Sequence, residues 1–559
     1  MKTWILAAAA SLASAPGWAQ AEAPADDWTA RAEAYVESAW PADGPGAAVI
    51  VARDGETVFA EGRGLADLET GEPITPDTVF RLGSITKQFS AAVILQLVEE
   101  GRLSLDDRVS DFLPDYPEPG ASATVRQLLN HTSGVQSYTA IPGWMVEENT
   151  DQAYTTEELI AVFADLPAPS EPGEAWAYNN SGYVLVGAVI EAVTGQPWHA
   201  AVRERIGEPL GLETIRYGVG EDEVAAMAEG YTQGEDGPAP AARIHMSTPH
   251  AAGALIGTVG DLADWAHALH NGEVVSDALY AEMIAPTELP DGSTVPYGFG
   301  VAPSDLRGRE AIGHAGGIFG FNSDSVYLPE EDLFVAVLAN SDAPATPSGV
   351  AMRRLAAMAL GDPYPDFVEA DIDLAGIEPL FGVYAIEGGD ATRRFYARDG
   401  QLYTLRSGAS ESAVFAAGDD RFFYGPDSLT WFEMERADDG AHVMKMHQNG
   451  AEAVERAVYT GPLPDEPAVI ELPEATLARY VGEYALGQAV ATVSLGEDGG
   501  LTTQLTGQPE VGMEAVGETE FRLQGVDARI VFVVEAGEVP AFVLHQSGRE
   551  MRAERIDGE

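Results

Sequence analysis

Apolar positions recur along this chain at two different periods, and the change of period divides it. From Arg81 to Gly101 the spacing is helical: Phe89, Val93 and Leu97 repeat every fourth residue with Ile94 and Val98 beside them, while Gln88, Gln96 and Glu99 interrupt the pattern. This predicts a mostly buried helix, with Gly101 as a left-handed stop and Ser84 near the start, where backbone N–H groups lack intrahelical partners. Helical spacing also covers Trp28 to Trp40, Ser181 to Thr194, Val259 to Leu269 and Val350 to Ala359. Ala47 to Gly62 reads instead as strand, Asp54-Gly55 turn, strand. Extended pattern returns from His314 to Pro329 and, after the acidic turn Glu330 to Asp332, from Leu333 to Ala339. Strands first, helices between and strands last predict an α+β domain whose sheet joins both ends of its chain.

Beyond Pro363-Tyr364-Pro365 the helical period fades and the chain repeats itself. Leu380-Phe-Gly-Val-Tyr384 answers Tyr480-Val-Gly-Glu-Tyr484, and His447-Gln448 with Arg456 answers His545-Gln546 with Arg555. Short alternating runs separated by turns such as Arg398-Asp-Gly400 and Asp498-Gly-Gly500 predict two small up-and-down antiparallel β-barrels, lipocalin-like in form. The repeated His-Gln pair reads as a strand end set by the fold rather than as a binding site. The expected organisation is a leader at 1–21, an α+β domain at 27–362, and barrels at 366–463 and 468–559.

The leader enters through its own pattern. Lys2, a short apolar run and a small-x-small ending at Ala19-Gln-Ala21 read as a secretory signal cut after Ala21, too short to span a bilayer. A periplasmic or secreted protein without a membrane anchor is expected. Cysteine is absent, which removes disulfides, thiol nucleophiles and cysteine-ligated metals. A net charge of −58 opposes nucleic acid and anionic headgroups as partners. Length and composition leave the oligomeric state open.

Chemistry centres on the helix start. Ser84 and Lys87 are three apart and therefore share a helix face, in a chain whose lysines are Lys2, Lys87 and Lys445. The plainer reading is a capping serine and a solvated lysine. A serine nucleophile also needs a base, a second proton carrier and an oxyanion hole. Tyr178 and Asn180 stand on the loop before a helix, and His314-Ala-Gly316-Gly317 opens a strand whose glycines would let a substrate backbone lie close. Lysine and tyrosine have ordinary pKa values of about 10.4 and 10, so one of the pair must shift by about three units to serve as base at neutral pH, and pattern alone does not say which. His245 and His250 lack the helical ligand spacing of a zinc site, so no metal and no cofactor are expected.

Taken in order, Ser84-x-x-Lys87, the segment ending His131-Thr-Ser-Gly134, Tyr178-x-Asn180, Gly253 to Asp261 and His314-x-Gly316 resemble the class C β-lactamase and D-aminopeptidase group of serine hydrolases, over about residues 30 to 360. The group includes D-Ala-D-Ala carboxypeptidases and β-lactamase-like esterases. The paired barrels are similar to those that follow the catalytic domain in D-aminopeptidases. The resemblance implies a β-lactamase/transpeptidase-like domain in which Ser84 forms an acyl-enzyme, Lys87 and Tyr178 exchange protons with it, and Asn180, His314, Gly316 and Gly317 meet the substrate. The N–H groups of Ser84 and Gly317 would form the oxyanion hole. His314 stands where β-lactamases usually carry lysine, and a neutral imidazole holds a substrate carboxylate poorly near neutral pH. Asn179 inside the tyrosine motif is unusual for the group.

Three readings follow: an exported hydrolase of small amides or esters, D-aminopeptidase-like or an esterase; a penicillin-binding or β-lactam-hydrolysing protein; and a non-catalytic sensor that captures ligands with its barrels. A small molecule or short peptide is the expected partner. The pocket is expected between the Gln136 to Tyr154 loop and loops of the barrels.

Overall fold

The computed structural model describes residues 28–556 except 220–223, 235–236, 419, 426–427, 438–439, 452–453, 466, 487–488, 497–498, 507, 536 and 547–548. The expected leader at 1–21 lies outside the described residues. The strands β1 (Ala47–Arg53), β2 (Glu56–Arg63), β3 (Ala302–Leu306), β4 (Arg309–Ile318), β5 (Phe321–Leu328) and β6 (Leu333–Ala339) form one sheet in the order β3-β4-β5-β6-β1-β2. Every neighbouring pair is antiparallel. Ala47 faces Ala339 and Arg53 faces Leu333, so the two ends of the domain close on each other as the element order predicts.

Both faces of this sheet are covered, which is why β1 and β6 read as continuous apolar runs rather than as alternations. Ala47, Val49 and Val51 pack with α1 (Trp28–Ala39) and α5 (Ser348–Ala359). Ala48, Ile50 and Ala52 point the other way, into the core shared with α2 (Thr86–Glu99), α3 (Asn180–Thr194) and α4 (Val259–His270). Eleven residues of α2 are buried, polar ones included. These find partners: Trp265 donates to Gln88 Oε1 at 3.0 Å, and Ser90 donates to the Ala251 carbonyl at 2.9 Å. Gly101, at φ +67°, ends the helix as expected.

The sheet departs from expectation at one edge. β4 begins at Arg309, so His314 sits in mid-strand instead of opening it, and β3 stands where no apolar pattern predicts a strand. Ala302-Pro-Ser-Asp-Leu306 lacks apolar alternation because it is an edge strand whose Ser304 and Asp305 are exposed.

The C-terminal part forms two closed eight-stranded antiparallel barrels, from Gly382–Ile386 to Glu455–Gly461 and from Gly482–Leu486 to Arg549–Arg555. The internal repeat has a shared structural cause. Tyr384 donates to the Leu380 carbonyl at 2.5 Å and Tyr484 to the Tyr480 carbonyl at 2.8 Å, each closing the entry turn of its barrel. The interiors are filled, by Phe395, Phe422 and Phe432 in one and by Tyr480, Phe532 and Phe542 in the other. His447 stacks on Trp431, with centroids 3.8 Å apart, whereas His545 lies 3.4 Å from Glu550. Leu429 packs with Ala357 and Tyr364 to seat the first barrel on the α+β domain. The second barrel holds the first through Asp527 on Arg394 at 3.2 Å and Gln546 on the Gly408 carbonyl at 2.9 Å. No helix among the described residues is long and apolar enough to cross a membrane.

Candidate active site

Ser84 occupies a 3-10 turn, Gly83–Ile85, that runs directly into α2, with Gly83 at φ +54°. One turn further on, Lys87 is fully buried, which rules out the solvated reading. Its Nζ lies 3.0 Å from Ser84 Oγ, 2.9 Å from Asn180 Oδ1 and 2.9 Å from the Ala252 carbonyl. All three partners are uncharged. Burial accordingly pulls the lysine pKa well below its usual value. A neutral amine has two N–H donors and one lone pair. In that neutral form the Asn180 and Ala252 oxygens, which only accept, would take both donors and leave the lone pair for the Ser84 hydroxyl proton. The carboxamide is oriented from its other end, where Asn180 Nδ2 donates to Thr139 Oγ1 at 3.2 Å.

Tyr178 completes the cluster from the loop before α3. Nζ of Lys87 sits 4.8 Å from its ring centroid, and its hydroxyl is within side-chain hydrogen-bonding reach of Ser84. The residue leaves 39 % of its surface open to solvent, while protein crowding about the hydroxyl raises its pKa and the Ser84 contact works in the opposite sense. Asn179 is the N-cap of α3 and is not solvated: its Oδ1 accepts from Gly182 N–H at 3.0 Å, and its side-chain amide donates to the Val135 carbonyl. Its own N–H donates to Nδ1 of His131 at 3.1 Å.

Two residues to which the sequence assigns no site role, His131 of the His131-Thr-Ser-Gly134 motif and the unmarked Tyr297, support this group. His131, at φ +65° and 2 % exposed, lies with its ring 4.4 Å from that of Tyr178. Tyr297 donates its hydroxyl proton to Nε2 of His314 at 2.8 Å, and Nδ1–H of His314 donates to the Ala315 carbonyl at 2.6 Å. Burial lowers the His314 pKa to about 4. Tyr297 lies 119 positions from Tyr178 in a loop of ordinary composition, and no sequence signal marks it.

The two glycines after His314 do different work. A Cβ on Gly316 would fall 2.1 Å from the Leu82 carbonyl oxygen, so β4 presses directly on the turn that carries Ser84. Ser323, across the ladder from Gly316, donates to the same Leu82 oxygen at 3.1 Å. Gly317 has open space at its α-carbon, and its nitrogen would lie 3.0 Å from a Cβ on Gly83, which brings its backbone beside the Ser84 turn.

A cavity of about 330 Å³ opens here, and Ser84, Asn180 and Gly317 line it. His314 and Gly316 do not; their side of β4 faces Tyr297 and Leu82 instead. Tyr138, Thr139 and Met145 bring in the expected Gln136 to Tyr154 loop. The expectation that barrel loops enter the pocket is not met among the described residues, since every lining residue precedes 343. His245 and His250 hydrogen-bond to Ser247 at 2.7 Å and Thr156 at 3.1 Å respectively.

A hydroxyl and a glycine backbone on one cavity, with a buried amine and a phenol against that hydroxyl, are the parts of an acyl-transfer site. Comparison with known proteins agrees with that chemistry. The chain is 29% identical over 486 residues to a D-aminopeptidase of Gluconobacter oxydans, covering 84% of this chain and 86% of that one. Among solved structures, a D-amino acid amidase of Ochrobactrum anthropi in complex with L-phenylalanine amide superposes with a TM-score of 0.53 at 27% identity, over 60% of this chain and 99% of the amidase. An octameric penicillin-binding protein homologue from Pyrococcus abyssi gives 0.53 at 26% identity, over 77% and 97% of the two chains. Residues 32–359 match the family model described as Beta-lactamase, and the chain therefore belongs to the beta-lactamase family, as a serine hydrolase.

Proposed function

We propose that the protein hydrolyses small amides and esters through an acyl-enzyme on Ser84, with D-aminoacyl amides or short D-peptides as the leading substrate class. The observation that carries this is the Lys87 amine, fully buried among uncharged partners and 3.0 Å from Ser84 Oγ. In this reading Lys87 takes the serine proton as Oγ attacks the carbonyl carbon. Tyr178, whose pKa is raised, passes a proton to the leaving amine or alkoxide. Water then attacks the acyl-enzyme with the same groups acting in reverse. The N–H groups of Ser84 and Gly317 hold the oxyanion, and Asn180 orients both Lys87 and the substrate. His314 is a buried support for Tyr297 rather than a direct substrate ligand.

The resemblance to a named D-aminopeptidase and a D-amino acid amidase supports the D-amide class. The penicillin-binding reading draws on the Pyrococcus abyssi homologue. Against it, a β-lactam or a D-Ala-D-Ala terminus brings a carboxylate, and no Lys, Arg or His is found among the described residues lining the cavity. The aromatic filling of both barrels argues against ligand capture inside them. Export to the periplasm or beyond remains part of the proposal on the strength of the leader at 1–21. A fluorophosphonate probe followed by peptide mass spectrometry, with turnover of D-aminoacyl anilides, p-nitrophenyl esters and nitrocefin, tests the whole reading. Labelling of Ser84 with preference for the anilides is the expected result; an unlabelled Ser84 or a preference for nitrocefin overturns it.

A further inference from the structure

The cavity beside Ser84 carries a single carboxylate, Asp342, among the described residues that line it. Asp342 follows β6 by three residues and is tied in place from two sides. Its Oδ2 accepts the N–H of Gly320, in the turn between β4 and β5, at 3.1 Å, and its own N–H donates to the Tyr231 carbonyl at 3.0 Å. Oδ1 makes no hydrogen bond with any described residue. The side chain is exposed, so this oxygen is available to a ligand.

The rest of the wall is apolar or uncharged: Ile318, Phe319 and Phe321 stand on the β4 to β5 turn, with Met145 and Ile244 from other segments. The guanidinium of Arg81 lies 5.5 Å from the Phe321 ring, but Arg81 does not line the cavity. Lys87 reaches Ser84 from within the protein and does not line the cavity, and burial disfavours its charged form. Among the described lining residues an anionic ligand would therefore meet a carboxylate and no cation, in a chain of net charge −58. A ligand with an ammonium group and an apolar side chain meets the reverse: an anchored acceptor and an apolar wall.

We propose that Asp342 is the specificity-determining residue of this cavity, its free oxygen accepting a hydrogen bond from a protonated amine on the substrate. The site then selects acyl donors with a free ammonium group over N-acylated or carboxylate-bearing ones. This rests on the proposed Ser84 hydrolase and names the charge its substrate must carry.

The test is calorimetric and needs no turnover. In a Ser84→Ala background, D-phenylalanine amide is expected to bind about tenfold tighter than N-acetyl-D-phenylalanine amide, the size of one charge-assisted hydrogen bond. The preference should disappear as pH rises past about 8, where an α-amino group loses its proton. It should also disappear on adding Asp342→Asn, whose carbonyl oxygen can keep the Gly320 contact and the fold. Equal or tighter binding of the N-acetyl amide, or a preference that survives Asp342→Asn, overturns the proposal. Fluorophosphonate labelling of the otherwise unaltered protein separates the two claims. Labelled Ser84 without amine preference removes only the role of Asp342, and amine preference without labelling removes only the hydrolase reading.

Discussion

Lys87 and Asn180 meet at the starts of two helices, amine to carboxamide oxygen at 2.9 Å, although 93 positions separate them in the chain. Replacing that neutral oxygen with a carboxylate stabilises the ammonium form and raises the lysine pKa. The lysine acts as a base only after losing its proton, so the acylation rate should rise with pH and level off well below the usual lysine range. In Asn180→Asp the midpoint of that rise is expected to move up by about one unit or more. Profiles of kcat/KM against pH for the two proteins check this; coincident profiles would remove Lys87 as the base.

Ser84→Ala should abolish turnover. Lys87→Met keeps the volume of the buried chain and removes the base, so acylation should slow by about a thousandfold or more with little change in melting temperature. Tyr178→Phe should slow acylation by about a hundredfold. Pre-steady-state bursts with a p-nitrophenyl ester read the acylation step directly.

Gly316 and Gly317 are adjacent but should respond oppositely to the same added methyl group. Gly316→Ala drives a Cβ to 2.1 Å from the Leu82 oxygen and 2.3 Å from Ser323 Oγ, so the Ser84 turn must shift. A loss of about 2 kcal/mol or more in stability is expected, with most of the activity lost as well. Gly317→Ala meets nothing within 4 Å, and its stability should stay within about 1 kcal/mol of the parent. Urea unfolding of both variants makes the comparison.

Among the histidines whose pKa burial lowers from 6.5, His250 and His270 fall to about 3 and His314 to about 4. Unfolding lets each take up a proton once the pH falls below the ordinary value. Their contribution to stability is thus complete above about pH 6.5 and is lost on acidification toward pH 3 to 4, by at most about 1.4 kcal/mol per pH unit for each. Asp324 acts in the opposite sense: its carboxyl is raised to about 6, so its contribution is lost as pH rises through that value. Unfolding free energies from pH 7 to 4 should therefore fall with acid, and His250→Gln should make that fall shallower. An unchanged slope would show that His250 is not buried neutral.

Local pattern made much of the scaffold legible. The α2 repeat, the Asp54-Gly55 hairpin and the doubled Tyr384 and Tyr484 motifs each depend on neighbours within a few residues, and each appears where the pattern puts it. The spacing of Ser84 and Lys87 likewise required only one helical turn. Pattern failed at β3, an edge strand with exposed Ser304 and Asp305 and no apolar alternation to display, and at the start of β4, which pairs with it.

The chain's own order of residues determined which groups are able to react: a serine and an amine on one helical turn, and a phenol and an amide on the loop that opens another helix. Tertiary packing decided how they are charged and what they face. Whether Lys87 is neutral depends on the absence of charge among its partners, which come from α3 and from the Ala252 backbone. The pairing of His314 with Tyr297, 17 residues away, and the projection of Asp342 into the cavity that holds Ser84 arise from contacts beyond the reach of any local period. Periodicity records what lies one turn or one ladder step away; electrostatic environment is the sum over everything within a few ångströms in space, and only the folded chain fixes that set.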